Sequence, residues 1–132
     1  MWSLTADNAT NFKRKKYRLK SVTTLRRRLD ELAARGDGTL YLHGPPSKDQ
    51  YLVLGVEQGV GLAHYFTPGS LSLIAANPEP EDGADLEFNF GGTATPIRRR
   101  YCIPIPLMRS IAEAFLENGE LPTFVTWEVF YG

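Results

Sequence analysis

The chain has 132 residues, 42% hydrophobic and 23% charged, with fifteen basic and fifteen acidic side chains and a formal net charge of zero. That length fits one ordinary core and is too short for two, and the apolar content is that of a globular chain. No uninterrupted apolar run approaches a bilayer span, which excludes a helical membrane protein.

The first residues show no apolar stretch after their basic positions and no small-residue cleavage site, so a cytoplasmic location is expected. The lone cysteine, Cys102, has no partner for an internal disulfide, and in the run "YCIPIP" it reads as a small buried hydrophobe. Asn8-Ala9-Thr10 matches a glycosylation acceptor, for which no consequence is expected given the cytoplasmic expectation. The zero net charge hides a division. Residues 1–36 carry ten basic against three acidic side chains, a net +7, and residues 37–132 carry five against twelve, a net −7. Such poles either attract charged partners or neutralise one another within the fold.

In chain order, "KRKKYRLK" (13–20) is a basic arm with only Tyr17 and Leu19 interleaved, to be solvated, closed into an edge strand or laid on nucleic acid. Ser21 has the chemistry of an N-cap, and Leu25, Leu29, Leu32 and Ala33 at helical spacing with Gly36 as stop predict a first helix over 22–35. Arg26, Arg27 and Arg28 would fan over its solvent side. From Thr39 the period changes to two: "TLYLHG", "QYLVLGVE", "VGLAHYFT" and "SLSLIAA" predict an antiparallel meander punctuated by Pro45-Pro46 and glycines. "ADLEFNF" continues it, with Leu86, Phe88 and Phe90 to one side and Asp85, Glu87 and Asn89 to the other. "IRRRYCIP" (97–104) reads as a further strand. Pro106 suits the first turn of a second helix whose stripe of Leu107, Met108, Ile111, Ala112, Phe115 and Leu116 runs to Gly119. Pro122 then blocks helix resumption, and "TFVTWEVF" predicts a last strand that lays Trp127 against the stripe led by Phe115. This order predicts an α+β fold: an antiparallel sheet of about five to six strands with two helices packed against it, as one domain over 21–132 preceded by the basic arm 1–20.

Candidate chemistry is sparse. His43, His64 and one cysteine lack the close spacings of zinc sites, so no metal or other cofactor is expected. His64, within a strand, is a contact candidate only. "GVEQGVG" (55–61) is glycine-dense but lacks the Lys-Ser/Thr of a phosphate loop and leads into a strand, so it reads as a hairpin turn. Ser70 and Ser72 stand in no nucleophile elbow. A catalytic site is not expected. The basic arm has the charge of a phosphate-binding footprint, yet only Tyr17 is near to stack on a base, and the rest of the chain repels phosphate. Glu79, Glu81, Asp82, Asp85 and Glu87 lie close together on a proline-stiffened loop and the strand after it. They serve solubility, or they imitate nucleic-acid phosphate and dock against a basic cleft.

Gly91-Gly92, Ile103-Pro104, the helix "PLMRSIAEAFLENG" and then Pro122, Val125 and Trp127 resemble the first-numbered immunity-protein family of bacterial polymorphic toxin systems, across residues 50–130. The resemblance implies a non-enzymatic antitoxin whose partner is a cognate toxin domain, often of the nucleic-acid deaminase class and including cytosine deaminases. It also implies that such a domain plugs its partner's active site. The residues expected to meet the toxin are the acids Glu79, Glu81, Asp82, Asp85 and Glu87, with Tyr51, Tyr65 and Phe66 as aromatic anchors inside the charged rim. The rival reading is a small nucleic-acid-binding module using Lys13 to Lys20 and Arg26 to Arg28.

Overall fold

The computed structural model describes residues 3–7, 14–18, 22–43, 50–66, 72–90 and 93–130, with backbone alone for residues 3–7 and 14–18 and for Phe90. The elements in chain order are β1 (Ser3–Asp7), β2 (Arg14–Arg18), α1 (Val22–Arg35), β3 (Asp37–His43), β4 (Tyr51–Glu57), β5 (Val60–Phe66), β6 (Ser72–Ala76), β7 (Leu86–Phe90), β8 (Thr93–Ile97), β9 (Ile103–Pro104), α2 (Ile105–Asn118) and β10 (Thr126–Val129). The Ser21 cap, the Pro45-Pro46 turn, Gly91-Gly92, Ser70 and the arm residues Lys13, Leu19 and Lys20 lie outside the described residues.

The fold is α+β, with both helices against an antiparallel sheet. The sheet runs β10-β6-β5-β4-β3-β1-β2, and the short β9 joins β5. The meander over β3 to β6 forms as its alternation predicts. Its β4–β5 hairpin turns on Gln58 and Gly59, both at positive φ (47° and 80°), the pair of left-handed residues that matches strand twist. The glycine-dense stretch 55–61 is therefore a hairpin.

α1 buries Leu25, Leu29 and Leu32, and α2 buries Met108, Ile111, Ala112 and Phe115. These side chains meet Leu40, Leu42, Leu52, Leu54, Val56, Ala63 and Ala75 from one face of the sheet. Each fully buried Leu, Ile or Phe contributes about 1.5–3 kcal/mol over its exposed state. Gly119, at φ 69°, ends α2 and donates its N–H to the Phe115 carbonyl at 2.8 Å. Trp127 then packs on this core while its indole N–H reaches the Pro122 carbonyl at 3.0 Å. Between the helices Arg26 meets Glu113 at 2.5 Å, joining the basic and the acidic segment of the chain, and Arg109 meets Asp30 at 2.7 Å, a pair of the opposite sense that leaves the division as it was.

Two expectations change. "ADLEFNF" does not continue the meander, because the far edge of β6 is taken by β10. Instead β7 pairs with β8 as a separate two-stranded hairpin that lies on the face of the sheet opposite the helices. Leu86, Phe88 and Ile97 from the hairpin pack with Leu62, Ile74 and Cys102 there, and the Phe88 ring sits over Gly55, where a Cβ would come within 3.1 Å of it. The second change concerns residues 97–104. Only Ile103–Pro104 is strand; Tyr101 N–H to the Arg98 carbonyl and Cys102 N–H to the Arg99 carbonyl close a 3-10 turn at Arg99–Tyr101.

Candidate functional site

The loop between β6 and β7 is a ridge pinned at both ends. At its start the Asn77 side chain accepts the Glu79 N–H at 3.0 Å and donates to the Cys102 carbonyl at 2.8 Å, while the Asn77 N–H bonds the Arg100 carbonyl. Such a local turn is the characteristic use of asparagine. Near the other end Arg99 donates through Nε to the Ala84 carbonyl at 2.9 Å. Between these pins Glu79, Glu81 and Asp82 are exposed, and Asp85 and Glu87 are exposed after them. The structure therefore displays the acidic set along one ridge and the outer face of the hairpin, with Arg99 and Arg100 at its foot. Arg100 forms a fork with the Glu128 carboxylate, which lowers that acid's pKa and raises its own.

A hollow lies on each side of the ridge. One, about 380 Å³, is bounded by Gly59, Asn77, Glu79, Glu81, Arg99 and Ile103. The other, about 460 Å³, runs between Pro78 and Pro80 and the segment from Thr123 to Thr126, with Leu107 beneath it. Phe124 stands at its rim and is 57% exposed. Neither the groove nor Phe124 was singled out from the sequence, although strand alternation puts Phe124 in phase with Thr126 and Glu128, away from Trp127.

The three expected aromatic anchors separate. Tyr51 and Phe66 stack with ring centroids 4.8 Å apart on the hairpin face of the sheet, and His43 and His64 extend the row. A hollow of about 250 Å³ opens there, walled by Tyr41, Tyr51, Val53, Phe66, Ile97 and Phe130. Tyr65 points the other way, edge-on to Phe115 in the helix-side core, with its hydroxyl donating to Gln50 at 2.7 Å. Burial pushes the Tyr65 pKa up.

His64 is buried beside Ser72, Nε2 to Oγ 2.6 Å. Because the serine hydroxyl donates to the Phe130 carbonyl at 3.1 Å, it accepts from His64, whose Nε2 carries the proton. Burial among Phe66 and Phe130 drives the His64 pKa down to about 4. It is a neutral structural donor that ties β5 and β6 to the end of β10. Cys102 is likewise buried, its thiol pKa raised mainly by that burial, as expected of a packing residue. Among the described residues no group of His, Cys, Asp or Glu is placed to hold a metal ion. No helix among them is long and apolar enough to cross a membrane.

The comparison with protein families bears on what such a ridge of exposed acids serves. The model for "Immunity protein Imm1" matches residues 14–129. The chain belongs to the Imm1 family. This Imm1 protein is an immunity protein, and the match takes in everything from β2 to β10, the acidic ridge included. None of the curated proteins matches it.

Proposed function

We propose that this Imm1 protein neutralises a bacterial polymorphic toxin of the nucleic-acid deaminase class, a cytosine deaminase in the first instance, by lodging over the mouth of its active site. The observation that carries the reading is the family match across residues 14–129. A deaminase must admit an extruded or single-stranded base to a zinc pocket, and the path to that pocket is lined for phosphate. An acid-bearing ridge is complementary to such a lining and blocks it without touching the metal. The protein itself performs no chemistry in this reading and acts in the cytoplasm, where the toxin's substrate is. Because a single escaped toxin damages a genome, the association belongs near the tight limit of nuclease and immunity-protein pairs, on the order of 10⁻¹³ to 10⁻¹⁶ M.

Mixing the purified protein with the toxin domain encoded by the neighbouring gene, and following both binding and deamination of a single-stranded oligonucleotide, tests this. The expected result is a stoichiometric complex with no residual deamination. Full toxin activity in excess immunity protein rejects the reading. Salt-sensitive binding of the isolated chain to the oligonucleotide, lost on deleting residues 1–20, would instead favour the nucleic-acid module.

A further inference from the structure

Among the described residues two large apolar side chains stand well out of the surface, Phe124 at 57% and Val129 at 47% exposure. Phe124 precedes β10 by two residues and Val129 is its last residue. β10 pairs with β6 along one side, and as the last strand in the sheet order it has its other side open among the described residues. The Phe130 N–H bonds the Ser72 carbonyl, so by the alternation of an antiparallel ladder the N–H and C=O of Trp127 and Val129 point to that open side. Natural edges are ordinarily blunted with lysine, proline or a covering segment. The opposite edge, β2, reads Arg14-Lys15-Lys16-Tyr17-Arg18 and is blunted in this way. The residues of β10 whose main-chain groups face the open side are a tryptophan and a valine, neither of which blunts an edge in this way.

The groove at the start of β10 adds a side-chain receptor to this backbone template. Pro78, Pro80, Leu107, Phe124 and Val125 line it, with Arg100 and Glu128 at its side. Residues 77–130 carry nine acidic against four basic side chains, and Arg100 is already committed to Glu128. A visitor to this edge therefore needs an extended backbone, at least one apolar side chain and positive charge.

We infer that β10 is the docking edge for the toxin: an extended, basic segment of the toxin domain adds as a further strand beside Trp127 and Val129 and seats an apolar side chain against Phe124. Strand addition of this kind draws affinity from main-chain hydrogen bonds and specificity from pockets for alternate side chains. Symmetric pairing of two β10 edges is disfavoured because it brings together two segments, residues 77–130 of each copy, of the same negative net charge. The β2 edge of another copy is basic but offers only Tyr17 for the groove. The inference rests on the immunity reading above and specifies where and how the partner is held.

The test uses the full chain and the catalytically inactivated toxin domain encoded by the neighbouring gene. Hydrogen exchange should show the Trp127 and Val129 amides slowed at least about tenfold in the complex relative to the free protein. Val129→Pro removes an N–H that no ladder bond to β6 uses, a position where edge strands tolerate proline. It should weaken binding about 10- to 100-fold, chiefly through faster dissociation, and Phe124→Ala, at an exposed site outside the ladder, should weaken it about 30-fold. A complex that silences the toxin with those amides unprotected, and with both variants as tight as the parent, overturns the inference and leaves the immunity reading standing. Absence of any complex with the parent chain sinks the immunity reading itself. Concentration-dependent self-association of the chain alone, abolished by Val129→Pro, assigns the edge to a second copy and overturns the inference too.

Discussion

His64 carries the clearest single-residue consequence. Its folded pKa, about 4, lies below its ordinary value of 6.5, so as pH falls the unfolded chain takes up the proton first. The associated stability is complete above pH 6.5 and is lost as pH falls towards 4, by about 1.4 kcal/mol per unit and about 3 kcal/mol in all. Urea unfolding at pH 7.0 and pH 5.0 should show that decline, and His64→Gln, which keeps a donor for Ser72, should flatten it. A parent protein equally stable at both pH values contradicts the assignment. The sequence placed His64 on a strand, but its neutral state follows from Phe66, Ser72 and Phe130 converging on it, and Phe130 comes from sixty-six residues away. The same limit applies to the aromatic anchors. Tyr65 and Phe66, adjacent on one strand, point to opposite faces. Alternation says that they separate; it does not say that the helices cover Tyr65.

The elements themselves were legible wherever one period ran unbroken. α1 and α2 follow from leucine and mixed apolar stripes closed by glycine, and β3 to β6 from alternation between turn residues. β8 was not read as a strand because Pro96 interrupts it, and proline is admitted only on an edge such as this hairpin provides. The arginine run 98–100 looked extended because nothing in it signals the 3-10 turn that its backbone closes. One pair of strands carries an avoidable conflict. Asp37 and Glu57 stand directly opposite each other at the start of the β3–β4 ladder, and burial, together with the nearby Asp37 charge, raises the Glu57 pKa. Like charges in register oppose pairing. Glu57→Lys makes the pair attractive and should stabilise the fold by about 0.5 kcal/mol, read as a rise in the denaturation midpoint at unchanged slope. A lowered midpoint rejects the conflict.

At the scale of the molecule, the fold class was readable from element order, whereas the stacking of helices, sheet and hairpin was not. "ADLEFNF" has the same alternation whether it extends the sheet or lies across it, and the choice was made by β10, which occupies the position beside β6. The acids were legible as a group, but the groove beside them needs the loop 77–80 and the segment 123–126 brought together. Their collective field gives a prediction separable from the docking edge. Neutralising Glu81, Asp82, Asp85 and Glu87 to amides takes the net charge from zero to +4 at exposed positions. Association with the toxin should slow about tenfold or more at low salt and lose most of its ionic-strength dependence, with dissociation little changed. An unaltered association rate places the interface away from the ridge.

Among the described residues the β7–β8 hairpin shares no hydrogen-bonded ladder with the main sheet, and Leu86, Phe88 and Ile97 pack it onto that sheet. Glu87 and Pro96, on its outer surface, can therefore be rewritten without disturbing the register of any other strand. A lineage with this frame is free to vary that outer surface at little cost to whether it folds.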